Sequence, residues 1–510
     1  EVISQLQGYI LKFKNMRELD LLNAFINIHK PKKIENIIDL NHYKTSHHES
    51  LKYAELLAQQ IFLKFSRNKN VQKISQVFLS SNNHLKKLIQ SELPFSLTQS
   101  QINVIEEIEK DLSTGKCMYR LLQGDVGSGK TIVAILAATN VLYKNYQVAF
   151  MAPTEILANQ HFEKFIDWFS KTNVKVELLT GNVKGNRRKT LLEEIENGAV
   201  NLIVGTHALF QENVKFNNLG LCIIDEQHRF GVKQRLDLMN KGKKNQYFPH
   251  QLMMSATPIP RTLSMSYFAD LEVSTIKEMP KNRIPIKTKL IRESRRLELI
   301  EILKKELMKQ NQIYWVCPLI EESDKLNLKD VTNTYEDFVK FLPDSEIGFI
   351  HGRMKESEKD HVMQNFIDKK INLLVATTVI EVGVDVPNAS VMVIEHAERM
   401  GLSQLHQLRG RVGRGHKESI SENAKERLQI IYENIDGFVI AENDLRIRGP
   451  GEMIGTRQSG IPNLKVANLV EDADLVEEAH HDAETYLKEH QVFAKSYCKL
   501  WFEHKNYLRI

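Results

Sequence analysis

Long apolar runs and closely spaced cysteines are both missing from this chain of 510 residues. No uninterrupted run of about 18 apolar residues occurs, so we expect no transmembrane helix. The N-terminal residues lack the basic and apolar regions of a signal peptide. The cysteines, Cys117, Cys222, Cys317 and Cys498, form no CxxC pair, which argues against a zinc site or a disulfide framework. We therefore expect a protein of the reducing cytoplasm with no membrane partner.

The chain also has little excess charge of either sign. It carries 69 Lys and Arg against 64 Asp and Glu, and it is 42% hydrophobic and 26% charged. This composition is ordinary for globular proteins and excludes collagen-like, mucin-like and wholly disordered chains. Residues 1–96 hold 14 basic and 8 acidic residues, so they carry +6 and the rest about −1. A basic segment favours nucleic-acid binding, but charge alone does not separate this from a solvated helical face.

The apolar pattern divides the chain into four parts. Residues 1–93 read as a helical segment, because Tyr53, Leu57, Ile61 and Phe65 recur every fourth position. Two regions, 94–278 and 279–423, alternate short apolar runs with helical patterns. Such alternation predicts an α/β fold with two consecutive parallel-sheet domains. The predicted strands are 118–122, 148–151, 202–204, 221–224 and 252–254, then 313–316, 347–350, 373–376 and 391–394. Residues 424–510 read as a charged helical region.

A phosphate-binding loop is the most specific motif. The residues from 124 to 131 fit G-x-x-x-x-G-K-T between an apolar run and a helix-compatible run, which is the strand–loop–helix context that this motif requires. Lys130 would reach the β- and γ-phosphates, and the Thr131 hydroxyl would bind Mg²⁺. The other residues predicted to surround the nucleotide phosphates are Gly124, Gly127, Ser128 and Gly129. The sequence therefore predicts ATP and Mg²⁺ as cofactors.

An acidic pair stands at the end of the apolar run 221–224. Asp225 would hold Mg²⁺ through water, and Glu226 would orient or deprotonate the attacking water. An Asp-Glu pair alone is weak evidence, since most such pairs are solvated. It gains weight from the neighbouring Gln227 and His228, which could sense the γ-phosphate, although a lone histidine is more often structural.

Residues before and after these motifs could complete the site. The amide of Gln101, close to Thr98, can pair with an adenine edge. Phe95 could stack on the base or belong to the core, and the sequence leaves both open. Ser255 and Thr257 follow another predicted strand and could hydrogen-bond to the acidic pair.

An arginine-rich motif lies in the second α/β region. Gln407 opens a stretch that includes Arg411 and Arg414. A surface salt-bridge cluster is one interpretation. The other is an arginine finger that meets the γ-phosphate when a cleft closes, an effect worth on the order of 10³–10⁵ in rate. The phosphate-binding loop about 280 residues earlier favours the finger.

Together these motifs resemble superfamily 2 helicases and translocases in order and spacing. The resemblance implies two tandem RecA-like motor domains, with an N-terminal helical segment and a C-terminal helical-hairpin region. It implies DNA-backbone contacts in the first motor domain at Pro153, Thr154, Thr206 and His207. In the second it places Thr377 near the DNA strand, and Gly383 and Asp385 near the nucleotide.

Longer strings resemble the RecG family of branched-DNA helicases. They are 225–232, 254–262, 314–322 and 444–460. The resemblance implies that a helical hairpin at about 424–445 and the loop after it couple ATP turnover to pulling duplex DNA. The polar candidates there are Arg446, Arg448, Arg457 and Gln458. Branched or forked duplex DNA is the implied partner, and we expect a monomer. Transcription-repair coupling factors resemble the chain too, but the string Thr456-Arg457-Gln458 and His228 favour RecG.

Two departures from the family pattern shape the alternatives. RecG proteins carry an N-terminal wedge domain built on an OB-fold. Residues 1–93 show no counterpart of this domain, so we expect either a fragment or a separate chain that carries the wedge. After Gly415 an apolar strand of the second sheet is expected to be missing. A truncated or degenerate product that binds nucleotide or DNA without productive unwinding is therefore the second hypothesis. An RNA helicase is a weaker third.

Overall fold

The computed structural model describes residues 10–12, 18–30, 44–71, 73–79, 82–227, 230, 238–256, 271–280, 288–291, 293–317, 324–343, 345–352, 354–377, 386, 388–397, 400–409, 415–416, 422–434, 436–448, 464–469 and 471–502. The chain divides into two compact units. One comprises residues 1–73, 259–273 and 448–510, and the other comprises 74–258 and 274–447.

The strands, in chain order, are β1 Ile10–Lys12, β2 Glu18–Asp20, β3 Tyr119–Gly124, β4 Gln147–Met151, β5 Val176–Leu179, β6 Leu202–Gly205, β7 Leu219–Ile224, β8 His250–Ser255, β9 Glu272–Ile276, β10 Leu290–Ile291, β11 Gln312–Cys317, β12 Ile347–Ile350, β13 Leu373–Thr377, β14 Ala389–Ile394 and β15 Gly415–His416.

The α-helices are α1 Leu21–His29, α2 Ser46–Val71, α3 His84–Glu92, α4 Gln99–Leu112, α5 Lys130–Tyr143, α6 Glu155–Phe169, α7 Gly185–Glu196, α8 Arg296–Met308, α9 Asp324–Phe341, α10 Glu356–Ile367, α11 Leu402–Arg409, α12 Glu422–Glu433, α13 Gly437–Arg448, α14 Ala473–Glu489 and α15 Gln491–Phe502. Among the described residues, no helix is both long enough and apolar enough to cross a membrane.

The first α/β domain is built on a seven-stranded sheet with the order β5-β6-β4-β7-β8-β3-β9. The registered pairs from β5 through β8 to β3 are parallel. Every residue of β3, β4, β6, β7 and β8 is buried, because helices cover the sheet and leave no polar face. The five strands predicted here are confirmed. The sequence did not predict β5 and β9.

The second α/β domain has a four-stranded parallel sheet with the order β12-β13-β11-β14. All four of its predicted strands are confirmed. At the position where a strand is expected to be missing, the described residues contain only the two-residue strand β15, which pairs in parallel with β10. Two helices, α12 and α13, then occupy the predicted hairpin region.

The unit that comprises residues 1–73, 259–273 and 448–510 is called the helical unit, and it contains residues from both ends of the chain. In it α2 packs against α14 and α15. The short antiparallel pair β1–β2 also belongs to it, so the prediction of a wholly helical N-terminal segment is wrong there. Polar residues of α2 are buried with partners: Lys52 Nζ lies 2.8 Å from Asp472 Oδ1, and Tyr53 Oη lies 2.8 Å from Asp482 Oδ2. The single apolar stripe predicted for α2 thus understates how much of this helix is buried.

A buried carboxylate fixes the chain just before α14. Glu55 of α2 is 1% exposed. Its Oε1 accepts a hydrogen bond from the backbone N–H of Lys465 at 2.6 Å. Its Oε2 accepts from Val466 at 2.8 Å and Ala467 at 2.9 Å. The carboxylate therefore satisfies three consecutive backbone donors of one short segment.

Candidate functional site

The predicted ATP-site motifs meet at one edge of the first sheet. The phosphate-binding loop follows β3, Ser255 ends β8, and Asp225 follows β7. These three strands are neighbours and run in the same direction, so their carboxyl ends lie side by side. The next strand, β4, leads to Pro153 at the same edge. This is the edge where open α/β sheets bind ligands.

The phosphate-binding loop adopts the conformation that its glycines allow. Gly127 and Gly129 have φ values of 78° and 86°, in the left-handed region that glycine tolerates best. The backbone N–H groups of Ser128 and Val126 donate to the carbonyl and the carboxylate of Asp125, at 3.1 and 2.8 Å. Lys130 Nζ donates to the carbonyl oxygens of Gly124 at 2.7 Å and Asp125 at 3.0 Å. The lysine ammonium therefore lies within the loop.

The loop also fits a phosphate group chemically. The hydroxyl of Ser128 is buried and has no hydrogen-bond partner among the described residues. A Cβ added to Gly129 would collide with the amide of Gln101. Helix α5 begins at Lys130, so its positive dipole end and its first N–H groups face the loop. A cationic side chain, a spare hydroxyl and a helix N-terminus suit the phosphates of ATP.

Residues before α4 brace the loop. Thr98 is the N-cap of α4 and forms a reciprocal capping box with Gln101. The Gln101 amide nitrogen also donates to the carbonyl of Ser128 at 2.8 Å. The structure thus links Gln101 to the phosphate-binding loop, and its contact with adenine stays a prediction. Phe95 is 41% exposed, so it does not belong to the core.

The acidic pair lies against the same loop. Asp225 Oδ1 accepts from the backbone N–H of Glu226 at 3.0 Å, and Oδ2 lies 3.0 Å from His161 Nε2. Burial by itself would raise the pKa of Asp225, but the hydrogen-bonded His161 ring and the charge of Lys130 hold that pKa below its ordinary value. Asp225 is therefore a carboxylate at neutral pH, as a Mg²⁺ ligand must be.

Glu226 occupies a strained position beside Ser255. Its φ of 47° is unusual for a residue with a side chain. Its Oε2 accepts from the backbone N–H of Ala256 at 3.3 Å. The acidic pair therefore contacts the residue after Ser255 through its backbone. The hydrogen bonds expected from the hydroxyls of Ser255 and Thr257 stay a prediction. Gln227 is buried beside them.

The second α/β domain contacts the phosphate-binding loop through α11. His406 Nε2 lies 2.5 Å from Asp125 Oδ1. Arg409 lies behind it: its Nη2 is 2.9 Å from His406 Nδ1, and its Nη1 donates to the carbonyls of Ile431 and Asn434. Burial would raise the pKa of Asp125, but His406 and Lys130 hold that pKa below its usual range. One hydrogen-bonded chain thus runs from the loop to the end of α12.

The predicted DNA-contact residues differ in exposure. Pro153 and Thr154 are half-buried where α6 begins, and the Thr154 hydroxyl accepts from Leu157 N as the N-cap. His207 is exposed, whereas Thr206 is 1% exposed. Ser255 and Thr377 are buried at the ends of β8 and β13. Arg446 is exposed on α13.

Other predicted site residues lie outside the described part of the chain. These are His228, Thr257, Gly383, Asp385, Arg411, Arg414, Arg457 and Gln458. Gln407 and Arg448 lie in α11 and α13, where only their backbone is described.

Sequence reasoning missed His161, His406 and Arg409. His161 lies four residues after Leu157 and four before Phe165, so helical spacing predicts burial but no partner. His406 and Arg409 stand in the arginine-rich motif, and only the contact between the two domains shows which residues they meet.

Comparisons with known proteins agree with this geometry. Residues 98–266 match the DEAD/DEAH box helicase family, and residues 296–416 match the helicase conserved C-terminal domain. Together they define the two-domain motor of a helicase. Residues 434–509 match the C-terminal part of domain 3 of the ATP-dependent DNA helicase RecG.

Individual relatives narrow the class further. The chain is 47% identical over 501 residues to the ATP-dependent DNA helicase RecG of Haemophilus influenzae, covering 96% of this chain and 72% of the relative. The Escherichia coli K12 RecG is 46% identical over 493 residues, covering 95% and 71%. The chain belongs to the RecG family of ATP-dependent DNA helicases, as the sequence predicted. It is an enzyme that couples ATP hydrolysis to DNA helicase activity.

Solved structures agree. The structure of RecG bound to a three-way DNA junction matches with a TM-score of 0.70 and 42% identity, over 84% of this chain and 57% of that chain. The helicase Mss116p, bound to single-stranded RNA and AMP-PNP, matches with a TM-score of 0.52. At 16% identity, over 83% of this chain and 94% of that one, this second likeness shows the fold alone.

Proposed function

We propose that the chain is a monomeric, cytoplasmic motor that remodels branched or forked duplex DNA. The observation that carries this is the ATP-site edge of the first motor domain together with the His406–Asp125 contact from the second. The match to RecG on a three-way junction supports a branched substrate. Four buried free thiols support a reducing compartment. A separate chain that carries the wedge is compatible with this proposal.

Each ATP-site residue is assigned a role. Lys130 binds the β- and γ-phosphates, and the loop backbone wraps them. Thr131 and Asp225 would hold Mg²⁺, which supplies charge neutralisation at the phosphates when it is bound. Glu226 orients the attacking water. The low pKa of Asp225 and the position of Lys130 in the loop support these assignments.

The arginine fingers are assigned to Arg411 and Arg414. They follow α11 directly in the chain, and α11 already contacts the phosphate-binding loop through His406. A second contact between the motor domains is Ile156 of α6, which packs against the core of the second sheet. Closing these domains around ATP would bring a guanidinium toward the γ-phosphate, where it stabilises the charge of the transition state.

Movement on DNA would use residues at the ends of the strands. Pro153, Thr154 and His207 are exposed enough to meet a phosphate backbone, and Arg446 is exposed on the hairpin. Contacts of this kind are independent of sequence and weaken with salt. Thr206 and Thr377 are buried, so their contact with DNA would need a local rearrangement.

ATP hydrolysis by the purified chain tests the proposal. Turnover is measured with no DNA, with linear duplex and with a forked junction, and strand displacement from the fork is followed on gels. We expect the fork to stimulate turnover most. Lys130→Ala should lower the rate by about 100-fold or more, because it removes a charge aimed at the transferred phosphate. Lys144→Ala, an exposed lysine at the other end of α5, is the matched control and should leave the rate unchanged.

The opposite result would favour the second hypothesis. Folded protein that binds nucleotide and fork but shows no DNA-stimulated hydrolysis would be a binding product without productive unwinding. The departures from the family pattern, the wedge without a counterpart and the strand expected to be missing after Gly415, are the reason for this alternative. The chain spans 57% of the RecG in the junction complex.

A further inference from the structure

A buried histidine contacts the acidic pair from a helix that no predicted ATP-site motif includes. His161 lies on α6 and is 8% exposed. Its Nε2 lies 3.0 Å from Asp225 Oδ2, while Asp225 Oδ1 accepts from the backbone N–H of Glu226. Each carboxylate oxygen of Asp225 therefore has one fixed donor, and these two hydrogen bonds set the plane of the carboxylate.

The histidine ring is held by its neighbours. Phe150 of β4 lies 4.7 Å from it between ring centroids, and Phe165 stacks on it at 5.7 Å with an interplanar angle of 23°. These contacts fix the ring face, so the direction of the Nε2–H bond is fixed as well. A rigid donor of this kind orients its acceptor better than a flexible side chain does.

Asp225 is the hydrogen-bond partner of the His161 ring. A carboxylate oxygen only accepts hydrogen bonds, so Nε2 is the donor. The other nitrogen, Nδ1, is buried and has no hydrogen-bond partner among the described residues. A histidine that served only to fill the core would be replaceable by an apolar side chain. In this protein a histidine is used although its Nδ1 has no partner among the described residues, and its one hydrogen bond joins Nε2 to Asp225. This favours a role for the hydrogen bond over a role in filling space.

We propose that His161 is a positioning residue that orients the Asp225 carboxylate for Mg²⁺ of the bound nucleotide. This rests on the proposed function of Asp225 as a Mg²⁺ ligand. Groups that hydrogen-bond to a metal ligand fix its orientation, and losing them typically costs about 10- to 100-fold in metal affinity or activity. In this role His161 acts through Asp225, the carboxylate to which its Nε2 is hydrogen-bonded.

The position of His161 also connects Asp225 to a predicted DNA contact. Helix α6 begins after its N-cap Thr154, seven residues before His161. This spacing is two helical turns, or roughly 10 Å along the axis. A change in α6 when DNA binds at Thr154 would therefore reach the Mg²⁺ carboxylate through one rigid helix.

The experiment compares substitutions at His161 by their Mg²⁺ dependence. His161→Leu keeps much of the volume and removes the donor. His161→Gln places an amide nitrogen near the position of Nε2, whereas the shorter His161→Asn does not reach it. Glu163→Gln, at an exposed position of the same helix, is the control. The readouts are the Mg²⁺ concentration at half-maximal ATP hydrolysis and the Mg²⁺ dependence of binding of the fluorescent nucleotide mant-ADP, which needs no turnover.

We expect His161→Leu and His161→Asn to raise the required Mg²⁺ concentration by about 10-fold in both measurements. His161→Gln should recover most of this loss, and Glu163→Gln should match the unsubstituted protein. Binding of mant-ADP in EDTA should be the same for all folded variants. If His161→Leu does not fold, as shown by its melting temperature, the Gln and Asn pair decides. Equal Mg²⁺ dependence in those two variants would overturn the proposal.

Asp225→Asn, measured in parallel, tests the assignment of Asp225 as a Mg²⁺ ligand separately from the role of His161. If it raises the Mg²⁺ requirement and the His161 variants do not, Asp225 keeps its proposed function and the role of His161 is wrong. If Asp225→Asn leaves the Mg²⁺ dependence unchanged, the assignment of Asp225 fails and the proposal for His161 fails with it.

Discussion

Removing the Glu55 carboxylate should release the segment that precedes α14. In the folded protein, this buried side chain accepts hydrogen bonds from three consecutive backbone N–H groups, those of Lys465, Val466 and Ala467. Glu55→Ala would leave these donors without an acceptor. We expect the segment to open far more often while the rest of the chain stays folded.

The magnitude follows from the number and kind of bonds. A hydrogen bond to a charged group contributes about 1.5–3 kcal/mol. Three such bonds sum to about 4.5–9 kcal/mol, and water that enters the opened site returns part of this free energy. We therefore expect Glu55→Ala to lower the opening free energy of the segment by about 3–4 kcal/mol. Glu55→Gln keeps one acceptor oxygen, so its loss should be roughly half as large.

Hydrogen exchange followed by mass spectrometry measures this directly. Peptides that span 464–469 should exchange about 100- to 1,000-fold faster in Glu55→Ala, since each 1.4 kcal/mol corresponds to a factor of ten. Peptides from β3 and β7 should be unchanged. Glu49→Ala, an exposed acidic residue in the first turn of the same helix, is the matched control and should change exchange by less than a factor of ten. Unchanged protection at 464–469 in Glu55→Ala would refute the reasoning.

Two further predictions concern the phosphate-binding loop and acid stability. Gly129→Ala should weaken mant-ADP binding at least about 10-fold, because its φ of 86° is strained for alanine and its Cβ meets the Gln101 amide. Gly185 also has a positive φ, but an added Cβ would meet open space there, so Gly185→Ala is the control. Equal losses of mant-ADP affinity in Gly129→Ala and Gly185→Ala would contradict this explanation. Burial lowers the pKa of His250 to about 4. The unfolded chain takes up this proton below about pH 6.5, so His250 should cost about 3 kcal/mol of stability by pH 4. Urea unfolding measured from pH 7 to pH 4 should show this fall in the free energy of unfolding for the unsubstituted protein, and His250→Asn should lack it.

The fold of the motor was readable because its strands are local and continuous. Strands buried on both faces, such as β3 and β7, appear as uninterrupted apolar runs. Strand β5 escaped prediction because three of its four residues are only partly buried, as is typical of a sheet edge. The phosphate-binding loop was recognisable because the spacing of its glycines and Lys130 is set by the geometry of the phosphates.

The helical unit and the supporting residues of the site could not be read in the same way. Glu55 and Lys52 on α2 have partners more than 400 residues away, and periodicity within a helix carries no information about them. The same holds for His161, whose spacing predicts only a buried face. Its contact with Asp225 depends on how α6 packs on the sheet, which no local pattern states.

The pairing of the chain ends has a consequence during synthesis. Tyr53 of α2 is hydrogen-bonded to Asp482, which is translated 429 residues later. At about 5–20 residues per second, this interval lasts roughly 20 to 90 seconds. For that time, the buried face of α2 has emerged without the helices that cover it. The nascent chain must therefore keep an apolar and charged helix soluble while both motor sheets are made. Chaperones that shield early segments should matter more for this chain than for one whose ends fold locally.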